Sequence, residues 1–103
     1  MYRIYIVEDD ETIANLLQKN LNSWGYDVFC AEDFSSILQE FVRREPQLVL
    51  LDLKLPYYNG FHWCEEIRRI SQVPVIFISS ASDNMNIVMA MSRGADDFRS
   101  EER

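Results

Sequence analysis

Residues 48–60, LVLLDLKLPYYNG, form the stretch of sequence that decides the fold. Four consecutive aliphatic residues end directly at Asp52, and a segment with a proline and an Asn-Gly pair follows. Short runs of β-branched and aliphatic residues are typical of strands that are buried on both faces of a parallel sheet. We therefore predict a central parallel strand that ends at Asp52.

Polar residues also follow two other apolar runs. Residues 4–7 (IYIV) lead into Glu8 and Asp9, and the run at 75–79 (VIFIS) ends in a serine. Ligands of open parallel sheets bind at the carboxyl ends of the strands. If the three strands are neighbours, their carboxylates meet at one edge, where they repel one another unless a cation lies between them. The sequence therefore predicts a small Mg²⁺ site beside Asp52.

Strands and helices alternate along the chain, which is the pattern of an α/β fold. The first helix is predicted to be capped by Asp9 or Asp10 and to end at Gly25. The predicted strands are residues 4–7, 26–30, 47–52, 75–79 and 95–98, and apolar residues at helical spacing mark helices around 13–24, 34–42, 61–70 and 85–89.

The composition narrows the class of protein. A chain of 103 residues with 48% hydrophobic and 26% charged residues is predicted to form one globular domain. The net charge of −7 argues against direct binding to nucleic acid, because phosphate groups are bound by Lys and Arg. No apolar stretch is long enough to span a membrane. Cys30 and Cys64 lack the spacing of metal ligands or a disulfide framework, which favours free thiols and a cytoplasmic location.

Each of these polar residues also has a purely structural interpretation. Carboxylates after a strand often cap the next helix, and Ser79 could equally belong to a turn. This interpretation is weaker for Asp52, because a turn aspartate usually precedes Gly or Asn and Asp52 precedes Leu53. The coincidence of three such strand ends is what favours a site.

The chain resembles the receiver domain of two-component response regulators, in the branch with a winged-helix DNA-binding domain. This resemblance implies a flavodoxin-like open parallel sheet of order 2-1-3-4-5 with helices on both faces. The matching segments are residues 6–10 (IVEDD), 50–56 (LLDLKLP), 59–60 (NG), 74–79 (PVIFIS) and 94–98 (GADDF).

The resemblance also implies a role for each site residue. Asp52 would accept a phosphoryl group from a sensor histidine kinase, and Mg²⁺ would lie among Glu8, Asp9, Asp52 and the backbone carbonyl of Lys54. Ser79 and Phe98 would form the switch that responds to phosphorylation. The switch would reshape the face formed by the fourth helix and fifth strand, where homodimers form and the signal passes to a DNA-binding output domain.

The end of the chain departs from the family pattern. We assign residues 1–98 to the receiver domain and 99–103 to a polar tail that is disordered or altered, with the last helix missing. Glu101 stands where the family carries a lysine that contacts the phosphoryl group. We therefore interpret the chain as a truncated receiver that self-associates through its uncovered sheet.

Two other functions stay open. The first is a degenerate receiver that acts only as a protein-interaction module, which Glu101 favours. The second is an Mg²⁺-dependent phosphatase with Asp52 as nucleophile; it is disfavoured because residues 53–54 (LK) place no general acid after Asp52. The expected protein is not an enzyme but a phosphoacceptor that assists its own phosphorylation and dephosphorylation.

Overall fold

The computed structural model describes residues 2–79 and 97–100 of the chain. Strands and helices alternate as far as the fourth strand. Their bounds are β1 Arg3–Val7, α1 Glu11–Ser23, β2 Asp27–Cys30, α2 Ile37–Arg44, β3 Leu48–Asp52, α3 Gly60–Arg68, β4 Val75–Ser79 and β5 Asp97–Ser100. The helix predicted around 85–89 and the position of Glu101 lie outside the described residues.

The five strands form one parallel sheet of order β2-β1-β3-β4-β5. The predicted strand order and the flavodoxin-like fold are therefore confirmed. The order reverses direction at β1, which lies between β2 and β3, and this is the kind of switch point at which ligands bind in open α/β sheets.

Helices cover both faces of the sheet. Successive side chains of a strand point to opposite faces, so each strand contributes to two separate cores. Ile4 and Ile6 of β1 pack with Leu17 and Leu21 of α1 on one face. Tyr5 and the other residues of the opposite face pack with α2 and α3. The buried members of this larger core include Val7, Ile37, Phe41, Val49, Leu51, Phe61, Cys64, Ile67, Val75 and Phe77.

The helix starts agree with their capping residues. The Asp10 carboxylate accepts hydrogen bonds from the amides of Thr12 (3.0 Å) and Ile13 (3.2 Å) and so caps α1. Asp10, rather than Asp9, is therefore the cap. The Asn59 side chain caps α3 in the same way by accepting from the His62 amide at 3.0 Å.

Two boundaries differ from the sequence prediction. Helix α2 begins at Ile37, not near Phe34, because the Asp33 carboxylate accepts hydrogen bonds from both the amide and the hydroxyl of Ser35, which gives the backbone a non-helical turn. Strand β5, Asp97–Ser100, continues past Phe98 and so includes two residues assigned to the polar tail. Polar residues are compatible with an edge strand, since backbone hydrogen bonds hold it to its neighbour.

A buried carboxylate links β1 to α2. Glu40 is only 6% exposed, and its side chain accepts hydrogen bonds from the hydroxyl of Tyr5 (2.6 Å) and from the amides of Glu32 (3.3 Å) and Asp33 (2.9 Å). Burial, followed by the hydrogen bond to Glu40, raises the pKa of Tyr5 well above its usual range. Tyr5 therefore stays protonated and serves as a donor inside the core.

We expect Tyr5→Phe to lower the free energy of unfolding by about 1–2 kcal/mol, because it removes one donor from a buried carboxylate. Urea unfolding measures the change. Tyr2→Phe is the matched control, since the Tyr2 hydroxyl donates to the Gln47 carbonyl at an exposed position (3.2 Å). Equal losses for the two variants would contradict the proposed importance of the Glu40 contact.

Among the residues that the structure describes, no helix is long and apolar enough to cross a membrane.

Candidate functional site

Strand pairing brings the predicted acidic residues to one edge of the sheet. In the parallel register of β1 and β3, Val7 pairs with Leu51. Glu8 and Asp9 follow Val7 directly, and Asp52 follows Leu51. The three residues therefore lie side by side at the carboxyl ends of two neighbouring strands, as the sequence predicted.

The side chains of these three residues converge. Glu8, Asp9 and Asp52 each place one carboxylate oxygen within 4.8 Å of the others. Glu8 is buried, Asp52 is half-buried and Asp9 is exposed, so the cluster opens from the sheet towards solvent. An all-oxygen, carboxylate-rich set is the donor chemistry that hard divalent cations such as Mg²⁺ prefer.

A local hydrogen bond fixes the direction of the Glu8 side chain. The Glu8 carboxylate accepts from the amide of Asp10 at 3.0 Å. Because the carboxylate of Asp10 caps α1, that residue does not belong to the cluster even though it is adjacent in sequence. Helix capping therefore accounts for Asp10. It does not account for Glu8, whose carboxylate belongs to the cluster.

Crowding and burial make the ionised form of this cluster unfavourable. Burial and, to a smaller extent, the neighbouring Asp52 carboxylate raise the pKa of Glu8 to about 8, although the hydrogen bond from the Asp10 amide opposes this effect. Burial also raises the pKa of Asp52, although hydrogen bonds from Glu8 and from the amides of Leu53 and Lys54 oppose this effect. Without a bound cation, Glu8 is therefore mostly protonated at neutral pH.

We expect the metal-free domain to lose stability as the pH rises. A carboxyl group whose pKa is raised by folding stabilises the folded chain below its unfolded pKa of 4.5, and this contribution is lost as the pH rises through about 8. The thermal midpoint in chelator should fall by about 5 °C or more between about pH 5 and about pH 8. Differential scanning calorimetry tests this expectation.

Added Mg²⁺ should reverse that fall at the higher pH, because a bound cation favours ionised carboxylates. Glu8→Gln keeps an acceptor for the Asp10 amide but cannot ionise, so it should flatten the pH dependence. A wild-type midpoint that rises with pH in chelator would contradict the expectation.

A cleft lies beside the acidic cluster. Asp9 and Lys54 line it together with Phe61, and its remaining wall belongs to the loop after β3. The lining residues of this loop are Leu53, Leu55, Pro56 and Asn59. Lys54, whose carbonyl the resemblance implied as a metal ligand, is thus placed at the edge of the site with its side chain exposed.

Gly60 is a supporting residue whose role the sequence did not reveal. A Cβ atom at this position would overlap the backbone oxygen of Asp52 and come within 3.1 Å of the Leu53 Cα atom. The Gly60 amide also donates to the Leu53 carbonyl at 2.9 Å, which closes the loop that lines the cleft. The Asn-Gly pair indicated a turn, but turn chemistry alone does not show this close approach to Asp52.

The predicted switch residues are placed by backbone register. Asp52 pairs with Ile78, so Ser79 follows the partner of Asp52 at the same edge of the sheet. Phe98 pairs with Phe77 in the middle of β4, and Ser79 pairs with Ser100. Ser79 therefore lies on β4, which is next to β3, and Phe98 lies on β5, one strand further from β1.

Fold and acidic edge together define the class: a doubly wound α/β domain with a carboxylate cluster at the switch point of its sheet. The sequence matches the response regulator receiver domain family over residues 4–100, and the chain belongs to this family. Receiver domains bind Mg²⁺ in an acidic pocket and interact with histidine kinases. They are signalling proteins and not classical enzymes.

Curated relatives are regulators of transcription and sensory transduction. The uncharacterized transcriptional regulatory protein YvcP of Bacillus subtilis is 52% identical over 98 residues, which are 95% of this chain and 41% of YvcP. The sensory transduction protein BceR of the same organism is 44% identical over 98 residues, which are 95% of this chain and 42% of BceR. The chain therefore spans less than half the length of the curated relatives it matches.

Solved receiver domains superpose closely on this structure. The N-terminal domain of the nisin resistance regulator NsrR has a TM-score of 0.89 at 46% identity, covering 100% of this chain and 87% of that chain. The BeF3-activated receiver domain of Klebsiella pneumoniae RstA has a TM-score of 0.93 at 29% identity, covering 98% of this chain and 86% of that chain.

Proposed function

We propose that this chain accepts a phosphoryl group on Asp52 from a sensor histidine kinase. The observation that carries the proposal is the convergence of Glu8, Asp9 and Asp52 at an open edge of a receiver-family sheet. Asp52 is the half-buried member, held at the end of a strand beside a cleft that a phosphodonor can enter.

The donor set fits Mg²⁺. Carboxylate oxygens of Glu8, Asp9 and Asp52 would hold the ion, with the backbone carbonyl of Lys54 as a further ligand and water completing the coordination. A bound Mg²⁺ neutralises charge on the transferred group and on the surrounding carboxylates. The raised pKa values of Glu8 and Asp52 are consistent with this role, since burial and the neighbouring carboxylates make the ionised cluster unfavourable unless a cation is bound.

The transfer itself needs little from the protein beyond position and charge. An oxygen of the ionised Asp52 carboxylate forms a bond to phosphorus as the phosphorus–nitrogen bond of phosphohistidine breaks, and the imidazole leaves as the neutral base after taking up one proton. The amides of Leu53 and Lys54, which donate to Asp52, orient the attacking carboxylate.

Residues of β4 and β5 would then respond to phosphorylation. In this proposal Ser79 hydrogen-bonds the new phosphoryl oxygens and Phe98 moves inward behind it, within a receiver unit of residues 1–98. The altered face formed by the fourth helix and fifth strand would favour homodimers and control a DNA-binding output domain elsewhere in the parent protein. A cytoplasmic location follows from the same proposal and is consistent with two free cysteines, Cys30 and Cys64.

A second candidate is an interaction module that no longer takes phosphate. The observation in its favour is Glu101, which stands where the family carries the phosphate-contacting lysine. A carboxylate directed at the phosphoryl group would weaken its binding by like-charge repulsion.

Phosphoramidate and beryllofluoride separate the two candidates. With Mg²⁺, phosphoramidate should add one phosphoryl group per chain, which mass spectrometry should locate in the peptide that contains Asp52, and chelator should prevent the addition. Beryllofluoride, a phosphoryl mimic, should bind only with Mg²⁺ and shift amide resonances as far as Phe98. Mg²⁺ binding without either response would support the interaction module and overturn the phosphoacceptor proposal.

A further inference from the structure

The loop beside the cleft holds an aromatic residue in a strained backbone conformation. Tyr57 has a φ of 69°, and the Tyr58 amide donates to the Pro56 carbonyl at 2.9 Å, so Tyr57 is the central residue of a tight three-residue turn. Positive φ is rare for bulky residues, and γ-turns of this hand are strained. Such strain is found most often at functional sites.

The ring of Tyr57 is directed outward. The side chain is 77% exposed, and within the described residues it makes no ring contact and no side-chain hydrogen bond. The strain is therefore not compensated by packing of this ring in the described part of the chain.

The neighbouring ring is held in place. Tyr58 stacks on His62 at 4.2 Å between centroids and meets the ring of Trp63 edge-on at 5.4 Å, while His62 also contacts Trp63 at 4.7 Å. Trp63 is buried and so anchors this stack to the core. Tyr57 and Tyr58 lie in sequence between Pro56 and Asn59, which line the cleft. Together with His62 they form what we call the aromatic rim.

The negative charge beside the aromatic rim favours a partner with a basic side chain. Pro56, which precedes Tyr57, lines the cleft together with Asp9, and the cluster of Glu8, Asp9 and Asp52 lies at the same edge of the sheet. Aromatic faces attract cations, and Tyr and Arg are enriched at the centres of interfaces. A basic side chain placed over Tyr57 would therefore be favoured both by the ring and by the acidic edge.

We propose that the aromatic rim is the recognition surface for a phosphodonor protein, and that Tyr57 contacts a basic side chain next to the donor's phosphohistidine. The inference rests on the proposed function, because it names the kind of partner that the phosphoacceptor site would bind. It gives a role to a strained, exposed tyrosine that directly follows Pro56, a residue that lines the cleft.

Synthetic phosphohistidine peptides test this contact on the 103-residue chain. One peptide carries arginine beside phosphohistidine and its matched partner carries glutamine there, while phosphoramidate serves as a donor without side chains. Tyr57→Asn removes the ring but tolerates positive φ, and Tyr57→Phe keeps the ring. Trp24→Asn is the control, because Trp24 is similarly exposed (73%) at the C-terminal end of α1.

We expect Tyr57→Asn to lower kcat/KM for transfer from the arginine peptide about fivefold, the size of an exposed cation–π contact. The glutamine peptide and phosphoramidate should react with this variant as with wild type, and Tyr57→Phe and Trp24→Asn should match wild type throughout. Tyr57→Asn should also raise the thermal midpoint by a few degrees, because it relieves the turn.

Other outcomes overturn the proposal in distinguishable ways. Equal losses with the arginine and glutamine peptides would mean an apolar contact and not a basic one. Equal losses with phosphoramidate would mean that Tyr57 only supports the fold of the site, and no loss at all would leave the rim without this role. Failure of the wild-type chain to react with phosphoramidate would refute the proposed function, and the inference with it.

Discussion

Asp52→Asn should abolish phosphoryl transfer and, without metal, stabilise the folded domain at pH 8. An amide nitrogen or oxygen is not a nucleophile for phosphorus in this chemistry, so no phosphorylation should be detected from phosphoramidate. Asparagine keeps an acceptor for the amides of Leu53 and Lys54, which donate to Asp52 in the wild type. The loss should therefore concern chemistry and not folding.

The gain in stability follows from the charge on the acidic cluster. Burial makes ionisation of Asp52 unfavourable, and the ionised Asp52 in turn makes ionisation of the adjacent Glu8 more costly. Removing one of the two charges should raise the thermal midpoint in chelator at pH 8 by several degrees. The same variant should bind Mg²⁺ more weakly, because one of three carboxylate ligands is lost.

Asp10→Asn provides the matched control for this prediction. Asp10 is adjacent to the cluster in sequence, but its carboxylate caps α1, and asparagine is an equally good cap. This variant should keep wild-type phosphorylation and Mg²⁺ affinity. Phosphorylation of Asp52→Asn to the wild-type extent would show that the acceptor is a different residue.

The acidic site was predictable from the sequence because it depends on strand ends. Aliphatic runs fix where β1 and β3 lie. Parallel pairing then brings Glu8, Asp9 and Asp52 together, independently of the conformation of the loops. The same reasoning gave the strand order only with help from the family resemblance, since apolar runs alone do not say which strands are neighbours.

Features that depend on particular tertiary contacts were less accessible. Val42 has the helical spacing of a core residue, yet it is 57% exposed, while Glu40 in the same helix is buried. Glu40 lies three residues after the buried Ile37, so the pattern contained a signal, but only the donors on Tyr5 and the loop after β2 make burial of that carboxylate acceptable.

Gly60→Ala should lower the free energy of unfolding by about 3 kcal/mol and damage the site at the same time. The methyl group would overlap the backbone oxygen of Asp52, and backbone atoms cannot move aside as the end of a flexible side chain can. Relief requires that the start of α3 move away from the end of β3. This movement would also lengthen the hydrogen bond from the Gly60 amide to the Leu53 carbonyl.

Urea unfolding and beryllofluoride titration together identify the cause. Because the displaced atoms belong to the residue that carries the acceptor carboxylate, beryllofluoride affinity should fall about tenfold or more under conditions where the variant is still folded. Gly25→Ala is the matched control: Gly25 has a φ of 94° and nothing within 4 Å of an added Cβ, so its cost comes from backbone strain alone.

The control should lose about 1 kcal/mol of stability and keep wild-type beryllofluoride affinity, since Gly25 lies between α1 and β2, at the opposite end of the strands from Asp52. If Gly60→Ala lost no more stability than Gly25→Ala and bound beryllofluoride normally, the close approach of α3 to Asp52 would not constrain the site. If both properties fell together only in Gly60→Ala, the geometry of the acceptor would depend on the absence of a Cβ atom at residue 60.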